Sequence, residues 1–153
     1  MHPSPSTARL ARLILSVACV VSGHTAVAQQ ATDARPLELR RIMQELGTSM
    51  QATVDAIARE DWARVANIAP RIASHPEPPT EEKVRIITLM GAEAGRFRGF
   101  DQQSHDAARL MGQAAEKRDA EGVIAAFAKV QGACLGCHQN YRQKFLDHFY
   151  GKR

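Results

Sequence analysis

The chain has 153 residues, a formal charge of +4, 44% hydrophobic residues and 5% aromatic ones. That length supports one domain with a sizeable core. Basic and acidic residues are interspersed with no Lys/Arg run, and aromatics are few, so the composition argues against a nucleic-acid-binding surface.

Arg9 and Arg12 precede the apolar run LILSVACVV (Leu13 to Val21), which is too short to span a bilayer. AVA (Ala26 to Ala28) is a small-x-small cleavage signal before Gln29. Residues 1–28 thus read as a secretory signal peptide and 29–153 as the mature domain, with no stable membrane insertion after signal removal. Cleavage lowers the formal charge to +2, takes away Cys19 and leaves only Cys134 and Cys137. An exported compartment permits disulfides, but this pair would close too small a loop to staple a fold. The pair is there for chemistry.

The mature sequence is rich in Ala, Leu, Met, Gln, Glu and Arg, all good helix formers, and no stretch alternates like a strand. A first helix is expected from Arg35 to Arg59, with Pro36 in its first turn and a buried stripe of Leu39, Met43, Leu46, Met50, Val54 and Ile57. Asp61 is a plausible N-cap for a second, from Trp62 to Ser74, which buries Trp62, Val65, Ile68 and Ile72 and carries Pro70 near its end. SHPEPP (Ser74 to Pro79) makes a loop, because proline disfavours helix in the residue before it. A third segment starts at Thr80, with acidic residues in its first turn, and runs to Lys117. Gly91, Gly95 and Gly99 loosen its middle and Asp101 offers a new cap, so it can divide in two. After KRDAEG, the last helix runs from Ala120 to Tyr150 with Val123, Phe127, Val130, Cys134, Tyr141, Phe145 and Phe149 on or near one face. Four helical segments joined by short turns give an all-α, antiparallel four-helix bundle.

The stretch ACLGCHQNYR (Ala133 to Arg142) lies inside that last helix. A redox dithiol would start a helix beside a βαβ unit, where the helix N-terminus stabilises the thiolate, and nothing here fits that context. A zinc site needs four ligands, and the other mature histidines, His75, His105 and His148, show no ligand spacing to one another. C-x-x-C-H in an exported protein is instead the signature of covalent haem attachment. Cys134 and Cys137 would add to the two vinyl groups as thioethers, holding one haem c, and His138 would bind the iron on one face. A sixth ligand would come from elsewhere or the site would stay open. Met43 and Met50 are the methionines on the first helix's stripe, although methionine is usually a core filler.

At these residues the chain resembles the class II c-type cytochromes, the cytochrome c′ family. AAFAKVQGACLGCHQNYRQKF carries that family's spacing of Phe127, Val130, Cys134, Cys137, His138, Tyr141 and Arg142. RRIMQELGTSM is similar to its first-helix pattern, which places Met43 at the distal side of the haem, followed by Leu46, Gly47 and Met50. One position departs: the family's arginine stands four before the distal residue, where this chain has Leu39, and Arg40 comes one later. The resemblance implies a haem-binding four-helix bundle with Arg40 and Arg142 as candidate haem-pocket or propionate contacts. It also implies two functional outcomes. With Met43 as ligand the iron is six-coordinate, and the protein is a periplasmic electron carrier serving redox partner proteins rather than an enzyme. With an open distal site it is five-coordinate and binds nitric oxide or other small gases. Bundles of this kind often dimerise through outer helix faces, and no outer apolar stripe here marks a homodimer interface.

Overall fold

The protein's structure, a computed structural model, describes residues 36–151. The signal-peptide reading of residues 1–28 lies outside them. Among the described residues there are five α-helices: α1 (Glu38–Ala58), α2 (Trp62–Ala73), α3 (Thr80–Met90), α4 (Ala94–Glu116) and α5 (Ala120–Phe149). No strand occurs among the described residues. A single 3₁₀ turn, Gly91–Glu93, joins α3 to α4, so these two together fill the third position of a four-helix bundle. Gly91 takes φ 57°, a left-handed conformation that glycine adopts without a Cβ penalty. The break expected in this segment therefore falls at Gly91, and Asp101 stays inside α4 instead of recapping it.

The two tight turns are built alike. Asp61 accepts a hydrogen bond from the Arg64 N–H (3.0 Å) at the start of α2, and Asp119 accepts one from the Gly122 N–H (2.9 Å) at the start of α5. Each aspartate thereby satisfies one of the donors that a helix start leaves without a partner. Immediately before them Glu60 and Arg118 both hold φ 55°, turning the chain sharply between antiparallel helices. Pro70 lies within α2 on its exposed side, and the helix continues past it to Ala73.

Helix α1 packs on α2, α2 on α4 and α4 on α5. The main core joins Val65, Ile68 and Ile72 of α2 to Ala108 and Met111 of α4 and to Val123 and Val130 of α5. Small residues set the spacing: a Cβ on Gly112 would lie 3.1 Å from the Ala69 Cβ. The α1 stripe needs correction. Ile42, Thr53 and Ala56 are its buried residues, whereas Met43 (37% exposed) and Val54 (52% exposed) fall off it. The buried and half-buried positions 42, 46, 49, 53 and 56 recur at three and four, so Thr53 rather than Val54 continues the stripe that Ile42 begins. Pro36 and Leu37 precede α1 rather than forming its first turn.

The start of α1 has no side-chain cap of its own. The Glu82 carboxylate of α3 supplies it, accepting from the Glu38 and Leu39 N–H groups at 2.8 Å each. A negative group on a helix N-terminus gains from both hydrogen bonding and the dipole. Glu82→Ala should therefore lower stability by about 1–2 kcal/mol, read as a fall in the urea midpoint at unchanged m-value.

Candidate functional site

A second apolar cluster sits beyond the main core. Ile86 and Met90 of α3 and Tyr141 of α5 are its buried members, joined by Phe97, Phe100, Phe145 and Phe149. Phe97 meets Tyr141 edge-on at 5.4 Å between centroids and stacks on Phe145 at 5.8 Å. Cys137 packs against this aromatic cluster, while Cys134, one turn earlier, packs against the main core. Both thiols are half-buried and are not joined in a disulfide. Burial pushes both up from the ordinary thiol value, Cys137 to about 11, and the Asp101 carboxylate adds to this. A thiol disposed this way is a poor thiolate, which counts against redox dithiol chemistry for the free pair. Apolar surroundings on both sides suit thiols that end as thioethers on a large apolar ring.

Gly136, between the cysteines, is required by shape. A Cβ there would lie 2.5 Å from Cε1 of Phe100, so α4 lays an aromatic ring directly on the motif's backbone. Taking ~100° per residue, Gly136 stands about 160° round α5 from Cys134 on one side, and His138 about 40° on the other. His138 is exposed and so turns away from α4. Around the bundle, the α1 and α5 backbones do not approach each other as closely as the packed pairs do. On α1, Ile42, Glu45, Leu46 and Ser49 face α2 across a cleft of about 450 Å³. Met43 stands about 100° round from Ile42 and about 60° from Leu46, at the margin of that face. It belongs to neither apolar cluster.

The two arginines differ in their surroundings. Arg40 is exposed, and its guanidinium lies 5.7 Å from the centroid of the Tyr150 ring, whose hydroxyl accepts from the Leu37 N–H at 3.1 Å. It therefore helps fasten the start of α1 to the end of α5. Arg142 is exposed one helical turn past His138 and on the same side. Tyr141 carries the buried side-chain oxygen that has no hydrogen-bond partner among the described residues. Burial pushes its hydroxyl up, and the Glu93 carboxylate pushes the same way. The aromatic cluster beside Cys137 gives a large apolar ring a wall to pack on. Together with two half-buried thiols and an imidazole beside the loosely closed α1–α5 edge, the residues present fit a haem held by this motif.

Sequence reading missed one cluster. It saw no histidines paired at ligand spacing, yet the fold brings His75, from the loop after α2, against His105 and Asp101 of α4. The His75 and His105 Nε2 atoms are 3.0 Å apart, and Asp101 Oδ1 lies 3.2 Å from the first and 3.7 Å from the second. Half of the signal was local, since Asp101 and His105 stand four apart on one helix face. The other half is a tertiary contact that no spacing rule reveals. The Asp101 carboxylate holds the His75 pKa above the ordinary histidine value, and His75 holds Asp101 below the ordinary carboxylate value. The raised histidine stabilises the fold fully below about pH 6.5, and that share is lost as pH rises through its folded value. The lowered aspartate contributes above about pH 4, and that share is lost as pH falls through its folded value. In a buffer containing chelator, Asp101→Asn should therefore lower the urea midpoint more at pH 5.5 than at pH 8.

An all-α bundle whose last helix carries C-x-x-C-H, with both thiols half-buried against the two apolar clusters, has the architecture of a haem-binding bundle cytochrome. The family model for cytochrome C′ matches residues 38–142, from the start of α1 to Arg142, and the chain belongs to that family. No curated relative and no solved structure matches the chain. Membership makes this a c-type cytochrome and implies a haem c cofactor. No helix among the described residues is long and apolar enough to cross a membrane.

Proposed function

We propose that the protein is a periplasmic single-electron carrier, with one haem c held through Cys134 and Cys137 and with His138 and Met43 as the axial ligands. The observation that carries this reading is the placement of the two axial candidates. His138 is exposed on the side of α5 turned from α4, Met43 lies at the margin of the α1 face that meets α2, and α1–α5 is not among the closely packed helix pairs of the described residues, which supports a haem held between these two helices. Bound haem supplies a one-electron iron couple, and His/Met ligation raises its potential. The chain's own residues do the rest. Phe97, Phe100 and Tyr141 exclude water from the Cys137 side. Gly136 lets Phe100 close against the motif. Arg142, exposed one turn past His138, would pair with a propionate, while Arg40 is engaged by Tyr150. No bond in a substrate is made or broken in this role, and redox partner proteins deliver and collect the electron.

A second reading has its own support. Met43 is 37% exposed and lies outside both apolar clusters, so no packing clamps its thioether on a ligand position. A distal site that opens would bind nitric oxide or another small gas. Intact mass of protein recovered from the periplasm tests the shared premise. A chain starting at Gln29 and carrying one haem is expected, and a mature chain without haem would end both readings.

A further inference from the structure

We propose that His75, Asp101 and His105 form a second metal site, near the haem motif but sharing no ligand with it, that takes an exchangeable divalent first-row transition ion of the zinc type. Three donors bound about 2.0–2.1 Å from one tetrahedral ion stand about 3.3 Å apart. The three donor atoms here form a triangle with edges of 3.0, 3.2 and 3.7 Å, close to one face of that tetrahedron. All of the candidate ligand atoms lie within 4.8 Å of one another.

The orientation of His75 points the same way. Its Nδ1 is 2.9 Å from the Pro76 carbonyl oxygen, which can only accept, so Nδ1 carries the hydrogen. Ligating histidines commonly donate their other ring N–H to a backbone carbonyl in this manner. The Nε2 electron pair of neutral His75 then faces both the Asp101 carboxylate and the His105 ring nitrogen. One proton on that nitrogen can point at Asp101 or at His105, but not squarely at both. A cation at the centre of the triangle meets all three donors at once.

The His75 side chain is 9% exposed and that of His105 20%, so the two imidazoles are held by packing. Asp101 is 51% exposed and gives the ion a route to solvent. Three protein donors leave a fourth position for water, as in exchangeable rather than purely structural sites. Two imidazoles and one carboxylate suit zinc, copper or nickel and disfavour magnesium, which prefers oxygen donors.

The test is isothermal titration of zinc chloride into chelator-stripped, haem-loaded protein at neutral pH. One zinc per chain is expected, undisturbed by millimolar magnesium. His75→Gln, His105→Gln and Asp101→Asn should each weaken it by more than the ~10–100-fold that loss of a supporting group costs. His148→Gln should leave it unchanged. Asp101→Asn, at a half-exposed position, keeps the test decisive if a histidine variant folds poorly. Absence of zinc binding at about millimolar concentration, or binding that survives both Asp101→Asn and His105→Gln, overturns the proposal. So does a change in the visible haem spectrum of these variants, which would assign the cluster to the iron's surroundings instead.

Discussion

Replacing Cys134 and Cys137 together by alanine should abolish covalent haem, so that the denatured chain retains no pigment. Stability should fall by several kcal/mol, well beyond the roughly 1–2 kcal/mol expected for trimming two half-buried thiols. The reason is burial: covalent haem stays on the unfolded chain with its apolar faces in water, so folding gains the burial of those faces and the iron–ligand bonds, and the double variant loses both. The thiols sit where two apolar clusters meet, Cys134 on the α2–α4–α5 core and Cys137 on the aromatic cluster. Intact mass before and after denaturing extraction, with urea unfolding of both proteins, provides the readout. A double variant that keeps haem through denaturation would place the attachment elsewhere.

Met43→Ala should have the second largest effect, and a selective one. The Met–iron(III) charge-transfer band should vanish, the reduction potential should fall, and carbon monoxide affinity of the reduced protein should rise by at least about 100-fold, because the thioether both raises the potential and blocks the sixth position. Stability should change little, by roughly 0.5–1 kcal/mol apart from the ligand bond, because Met43 is 37% exposed and belongs to neither cluster. Met50→Ala makes the control. Met50 packs against the main core, so it should cost about 2–3 kcal/mol and leave the haem spectrum as it was. Opposite patterns in the two variants would move the ligand to Met50.

Much of the architecture was legible in the sequence. The Asp61 and Asp119 caps stand where their side-chain chemistry puts them, and the last helix spans almost the whole stretch that its apolar periodicity marks. The attachment motif was legible because two thiols and an imidazole at fixed spacing on one helix form a local pattern. What the sequence hid is tertiary. Helix α1 buries Thr53 and Ala56 in preference to Met43 and Val54, because the face that packs on α2 follows the register of Ile42 rather than that of the large apolar residues beside it. Its N-terminus is capped by Glu82, more than forty residues away, which no local rule finds. The third segment breaks at Gly91, where a left-handed residue is needed, although Asp101 was an equally good cap on paper. His75 reaches His105 only because the loop after α2 folds back onto α4.

Electron carrier and gas binder differ in whether the chain keeps a sixth ligand on a covalently held haem. The visible spectrum of the reduced wild-type protein, recorded with and without carbon monoxide, asks this directly. A low-spin spectrum that carbon monoxide alters only slowly or incompletely is the predicted result. A high-spin spectrum that converts promptly and completely at low gas concentration would contradict it and make this cytochrome a gas binder.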